Sequence, residues 1–180
     1  MKKYYNIFYA KNKQCRYEVT FMKKILLTIC MLLMLIPSVC LADGPVITSD
    51  SRTFDPIRGI YDLRGNVFVQ FPAHDTMLTI TGDRTQVYVY AAEVHGQDDI
   101  TLSYGNMNFR CDKVDVYGTK NIAYVSGNIN FLQGGTSITA DNGSFSWDTK
   151  LATFSGNVKV NGAPHQGGVT YNVISSKIVS

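Results

Sequence analysis

Four aspartates recur in similar local settings. Ile47–Asp50, Ile80–Asp83, Phe109–Asp112 and Ile138–Asp141 each run from an apolar residue through two others to an Asp, with the carboxylates 33, 29 and 29 residues apart. A carboxylate ladder suggests repeated calcium sites, but calcium takes about six to eight oxygens, usually from several carboxylates close together. Each unit offers one, so the reading preferred is a bend whose backbone N–H groups the carboxylate caps. The close acidic pairs are Asp98–Asp99 and Asp112 with Asp115. Glycoside hydrolysis needs two carboxylates flanking a sugar, one of raised pKa, and adjacency in sequence does not supply that. His74, His95 and His165 lie far apart without metal-ligand spacing. Cys111 has no local partner that would make it a nucleophile, and in an alternating apolar context it reads as a small core residue. No phosphate loop or nucleophile elbow is present. No enzyme activity, cofactor or metal is expected.

Trp147 and Tyr61, Tyr88, Tyr90, Tyr104, Tyr117, Tyr124 and Tyr171 form an aromatic set. A sugar platform is one use for it; packing within and along a sheet is the other, and fits the β-propensity of these residues. Arg52, Arg58 and Arg64 cluster early and suit phosphate pairing, but solvated surface is the reading preferred.

These residues need elements to hold them. Beyond residue 42 no long 3.6-residue apolar period appears. Short alternation recurs instead, as in Val67-Val69-Phe71, Ile100-Leu102, Val114-Val116, Ile129-Phe131 and Val158-Val160. Period two with β-branched and aromatic residues predicts strands with one buried face. Four residues after each Asp stands an apolar residue, namely Phe54, Val87, Val116 and Phe145. Fifteen residues after three of the four comes Gly-Asn and a β-branched residue, at Gly65–Val67, Gly127–Ile129 and Gly156–Val158; the second unit keeps only Gly96, at thirteen. The apolar residues flanking each Asp are seven apart, an odd number, so a continuous strand would point them to opposite faces. The Asp therefore marks a bend or bulge that resets the facing, and Gly-Asn a second corner tolerant of positive φ. Such units, about 29 residues long, stack into one apolar interior that none could bury alone.

Composition divides the chain. Of 180 residues, 45% are apolar and 17% charged, with net charge +3. Seven of the 17 basic residues and one of the 14 acidic ones lie in the first 42, leaving ten basic and thirteen acidic in the body. The body is thus acidic, which excludes the nucleic-acid reading that a positive average invites. Met22 to Ala42 reads as a secretory signal: Lys23-Lys24, an apolar run from Ile25 to Ile36, then Cys40 and Ala42 as small residues before a cut after Ala42. Residues 1–21 read as a gene-model extension upstream of Met22. The expected organisation is 1–21 extension, 22–42 signal peptide and 43–180 mature domain, exported to the periplasm. A retained, uncleaved anchor is the alternative.

The Ile-x-Ser/Ala-Asp start, the continuation from Gly59 to Val69 and repetition after a signal peptide together resemble the OstA-like family, typified by LptA, over roughly Pro45 to Asn161. The resemblance implies an all-β, open antiparallel β-jellyroll, a folded-over sheet. It implies a non-catalytic protein that binds lipopolysaccharide acyl chains in an apolar groove. It also implies end-to-end docking with like domains of inner- and outer-membrane partners, and with further copies head to tail, to bridge the periplasm. Carried onto this chain, the lipid-binding positions are Ile47, Ile80, Phe109 and Ile138 before the Asp, and Val67, Val69, Ile129, Phe131, Val158 and Val160 after the Gly. Gln97-Asp98-Asp99 departs from the pattern and predicts a hydrophilic strand end. The competing reading is an exported β-solenoid for adhesion or scaffolding.

Overall fold

The structure, a computed structural model, describes residues 44–180; the signal-peptide and start-site readings fall outside them. Strands come in chain order: β1 (Val46–Thr48), β2 (Ser51–Asp55), β3 (Ile60–Ala73), β4 (Thr76–Tyr88), β5 (Glu93–Tyr104), β6 (Met107–Tyr117), β7 (Ile122–Gln133), β8 (Thr136–Ser146), β9 (Leu151–Ser155), β10 (Lys159–Val160), β11 (Ala163–Pro164), β12 (Val169–Asn172) and β13 (Lys177–Ile178). All thirteen join one antiparallel sheet, ordered β1-β3-β4-β5-β6-β7-β8-β9-β12-β13 with β2 on β3 and β10–β11 on β8. The order never returns to β1, so the sheet is open, as expected of the jellyroll.

The long strands β3 to β8 are bent rather than broken. Between Arg64 and Val67 on β3 two residues oppose one on β4, and the same irregularity recurs at Gln97/Ile100 and Ser126/Ile129. Gly65 and Asn66 take φ of 69° and 47°, and Gly127 and Asn128 take 77° and 49°. Two consecutive left-handed residues within a strand bulge it and turn its course. Glycine takes this region freely and Asn more readily than other side chains. Repeated strand after strand, the bulges align into a spine that folds the sheet into two leaves. Residues before the spine on β3 and after it on β4, such as Leu63 and Val87, line the first leaf. Residues on the other side, such as Val69 and Ile80, line the second.

Two sequence expectations change here. Gly-Asn is not a second corner: it shares one bulge with an Asp of the neighbouring strand. That Asp accepts a hydrogen bond from the Asn side chain rather than capping local N–H groups: Asn66 to Asp50 at 2.8 Å, Asn128 to Asp112 at 2.8 Å and Asn157 to Asp141 at 2.7 Å, each sixteen residues apart. The second unit's counterpart is not Gly96, which lies in regular pairing with Val114. It is Asp98–Asp99, with φ of 67° and 49°, in the middle of β5 rather than at a strand end. The facing argument holds in three units. Ile80 and Val87, Phe109 and Val116, and Ile138 and Phe145 are all buried despite their odd separation.

Candidate functional site

The leaves face each other across one apolar interior. Phe109 of the second leaf meets Phe154 of the first at 5.6 Å between ring centroids, and Phe131 meets Phe154 at 5.1 Å and Tyr171 at 5.0 Å. Tyr104 meets Phe145 at 5.0 Å. These separations are favourable for aromatic pairs. Eight of the ten residues assigned from sequence are buried here: Val67, Val69, Ile80, Phe109, Ile129, Phe131, Ile138 and Val158. Ile47 and Val160 are partly buried and pack against the same core.

All ten belong to the second leaf. The opposite wall, which includes Leu63, Val87, Val94, Val114, Val116, Val125, Phe145, Ala152, Phe154 and Tyr171, is buried equally and contains none of the ten. The signal for it was already visible: Leu63, Val125 and Phe154 stand two residues before a Gly of the repeated pattern. Among the described residues, two buried side-chain atoms have no hydrogen-bond partner, Thr85 Oγ1 and Gln133 Oε1. The interior is otherwise suited to hydrocarbon.

The leaves also touch along the edge opposite the spine, where hairpin tips meet in a polar seam. On the second-leaf side are the β3–β4, β5–β6 and β7–β8 turns. His74 Nε2 lies 2.6 Å from Asp148 Oδ1 in the β8–β9 turn. Lys150 Nζ donates to Asp75 Oδ1 at 2.9 Å and to the Tyr104 hydroxyl. Gln133 Nε2 donates to Asn106 Oδ1 at 2.7 Å and to the Val173 carbonyl at 2.9 Å. Asn121 Nδ2 donates to both Asp148 oxygens and its Oδ1 accepts from Trp147 Nε1, fixing the turn that carries Asp148.

The seam is electrostatically complementary. Hydrogen bonds from Lys150 and then Tyr104 hold the Asp75 carboxyl down to about 2. Asp148 is held below the usual carboxylate range, chiefly by His74 and then Asn121. Burial opposes the charge on Lys150, but its bonds to Tyr104 and Asp75 prevail and raise it. Sequence spacing offered no pointer to these partners, which lie 74, 75 and 46 residues apart.

The outer face of the first leaf carries a different row. His95 Nδ1 lies 2.7 Å from Asp115, its ring meets Tyr88 and Tyr117 edge-on at 5.2 and 5.9 Å, and Tyr117 continues to Tyr124 at 6.0 Å. Packing along the sheet accounts for these aromatics, while Trp147, Tyr104 and Tyr171 are buried. Cys111 is buried, and burial first of all pushes its thiol up to about 12, which removes it as a nucleophile at neutral pH.

No protein-family model matches the chain, and no curated protein matches its sequence. Among solved structures, the fold is similar to LptH, the LptA-homologous periplasmic component of the lipopolysaccharide transport device of Pseudomonas aeruginosa. The TM-score is 0.52 and the identity 14%, over 76% of this chain and 88% of that one. The likeness is one of fold: an LptA-like, open antiparallel β-jellyroll.

Proposed function

We propose that the chain is a periplasmic lipopolysaccharide-binding transport protein that carries acyl chains between its two leaves and docks end to end with like domains. The observation that carries this reading is the open, folded sheet whose two inner faces form one continuous apolar interior. A lipid with several acyl chains needs a long dry slot, and each CH2 kept from water contributes about 0.8 kcal/mol. A two-leaved sheet is joined covalently along its spine only, so its walls can separate without breaking a strand ladder. The LptA-like fold of a periplasmic component of the lipopolysaccharide transport device supports the same assignment.

The two ends of the sheet support docking. Val46 on β1 and Phe54 on β2 are exposed apolar residues at one end, and Ile178 on β13 and Val179 are exposed at the other. Unpaired edge strands with exposed apolar side chains invite strand addition from a partner.

Fluorescent lipopolysaccharide titrated into the purified protein tests the lipid reading. Saturable binding displaced by lipid A, but not by the delipidated core oligosaccharide, is expected. Binding displaced by the sugar alone, or no binding, would move the assignment to an exported scaffold.

A further inference from the structure

The interior is closed to solvent: Ile80, Phe109, Phe131 and Ile138 are 0% exposed. An acyl chain therefore reaches it only if the leaves part. They cannot part at the spine, where every long strand runs through from one leaf to the other. The free edge is the seam, and its contacts are made largely by side chains. We propose that the seam is a clasp: His74 with Asp148, and Lys150 with Asp75 and Tyr104, hold the leaves shut, and acyl chains are admitted along this edge when those contacts separate. The clasp rests on the lipid-binding reading above.

Three features suit the seam to open. Three of its four ionic partners are solvated: the side chains of His74 and Asp148 are 50% and 52% exposed and that of Asp75 is 74% exposed, while that of Lys150 is 18% exposed, and ion pairs with exposed members hold weakly. The closed state is imperfect, because Gln133 Oε1 is buried there without a partner; opening gives it water, which offsets part of the loss. The turns that meet are anchored within their own leaves, by Asn121 on Asp148 and by the Tyr104 hydroxyl donating to Asp75 Oδ1 at 3.0 Å. Each leaf can thus swing as a unit with its half of the clasp formed.

The test uses the exported protein and fluorescent lipopolysaccharide in stopped flow. In the double variant His74→Cys/Asp148→Cys, the clasp is locked with a short bis-maleimide carrying a cleavable disulfide. The lock is expected to slow association roughly tenfold, and reduction to restore it, because the binding-competent open form is removed and then returned. Cleavage in the same sample controls for folding. Independently, Lys150→Met with Asp148→Asn weakens the clasp and is expected to speed association about two- to fivefold, the scale of exposed ion pairs. Unchanged rates in the locked protein, with binding intact, would overturn the clasp and leave the lipid reading standing. Absence of binding by the unaltered protein would overturn the lipid reading itself, and the clasp with it.

Discussion

Asp50, Asp112 and Asp141 each accept from an Asn sixteen residues later, and that Asn is also the residue that takes a positive φ in the bulge. The Asn thus shares the bulge with the Gly before it and also ties two segments. Position 99 keeps the backbone part alone: Asp99 has the φ of its Asn counterparts but carries a carboxylate where they donate. Asp99→Asn therefore adds a donor toward Asp83 without new strain. It should stabilise the fold by about 0.5–1.5 kcal/mol, the net worth of one hydrogen bond, read as a higher urea midpoint. The Asp spacing is plain in the sequence, but Asp98–Asp99 do not match the Gly-Asn pattern, because the shared property is a backbone angle and not a residue type. The clasp has a defined acid limit. The Asp75 carboxyl is held down to about 2 by Lys150 and then Tyr104. A depressed carboxylate contributes stability above its unfolded pKa, and that contribution disappears as pH falls through the folded one. The stability gap between the natural protein and Asp75→Asn should stay constant from about pH 5 to 9, then close between about pH 4 and 2. A gap that changes near neutrality would show that another group governs the seam.

At the scale of elements, each long strand serves both leaves and the bulge decides where one leaf ends. Alternation along the sequence revealed the strands, and the odd separation across each Asp revealed that a facing reset was needed. It did not reveal that the Asp and the Gly-Asn of adjacent strands share a single bulge, because that depends on register between strands. Nor did it weigh the first-leaf wall as part of the site. Phe131 shows how closely the walls depend on each other: it touches Phe109, Phe154 and Tyr171 and has no exposed surface. Phe131→Ala should cost about 3–5 kcal/mol, from lost transfer energy and the cavity left between the leaves. Thermal unfolding measures this directly, and a cost below about 1 kcal/mol would mean that the leaves collapse freely onto the gap.

For the whole molecule, the open sheet has two consequences, an interior whose two leaves share strands only along the spine and two uncovered ends. At the ends, Val46→Lys or Ile178→Lys places a charge where a second copy or a like domain would add a strand. Either should abolish concentration-dependent self-association in light scattering while changing monomer stability by no more than about 0.5 kcal/mol, as for surface substitutions. The fold class was legible because period-two patterning and repeated units are local features. The seam was not, because its partners meet only after the whole sheet has folded over. For the interior, the most direct measurement is photo-crosslinking in the exported protein, with the reactive residue placed at Phe109, at Ile138 and, as a control, at Ile57, which is 90% exposed. Lipopolysaccharide adducts at Phe109 and Ile138 but not at Ile57 are predicted. A folded, exported protein with no adduct at either interior position, or with equal labelling at Ile57, would contradict the account.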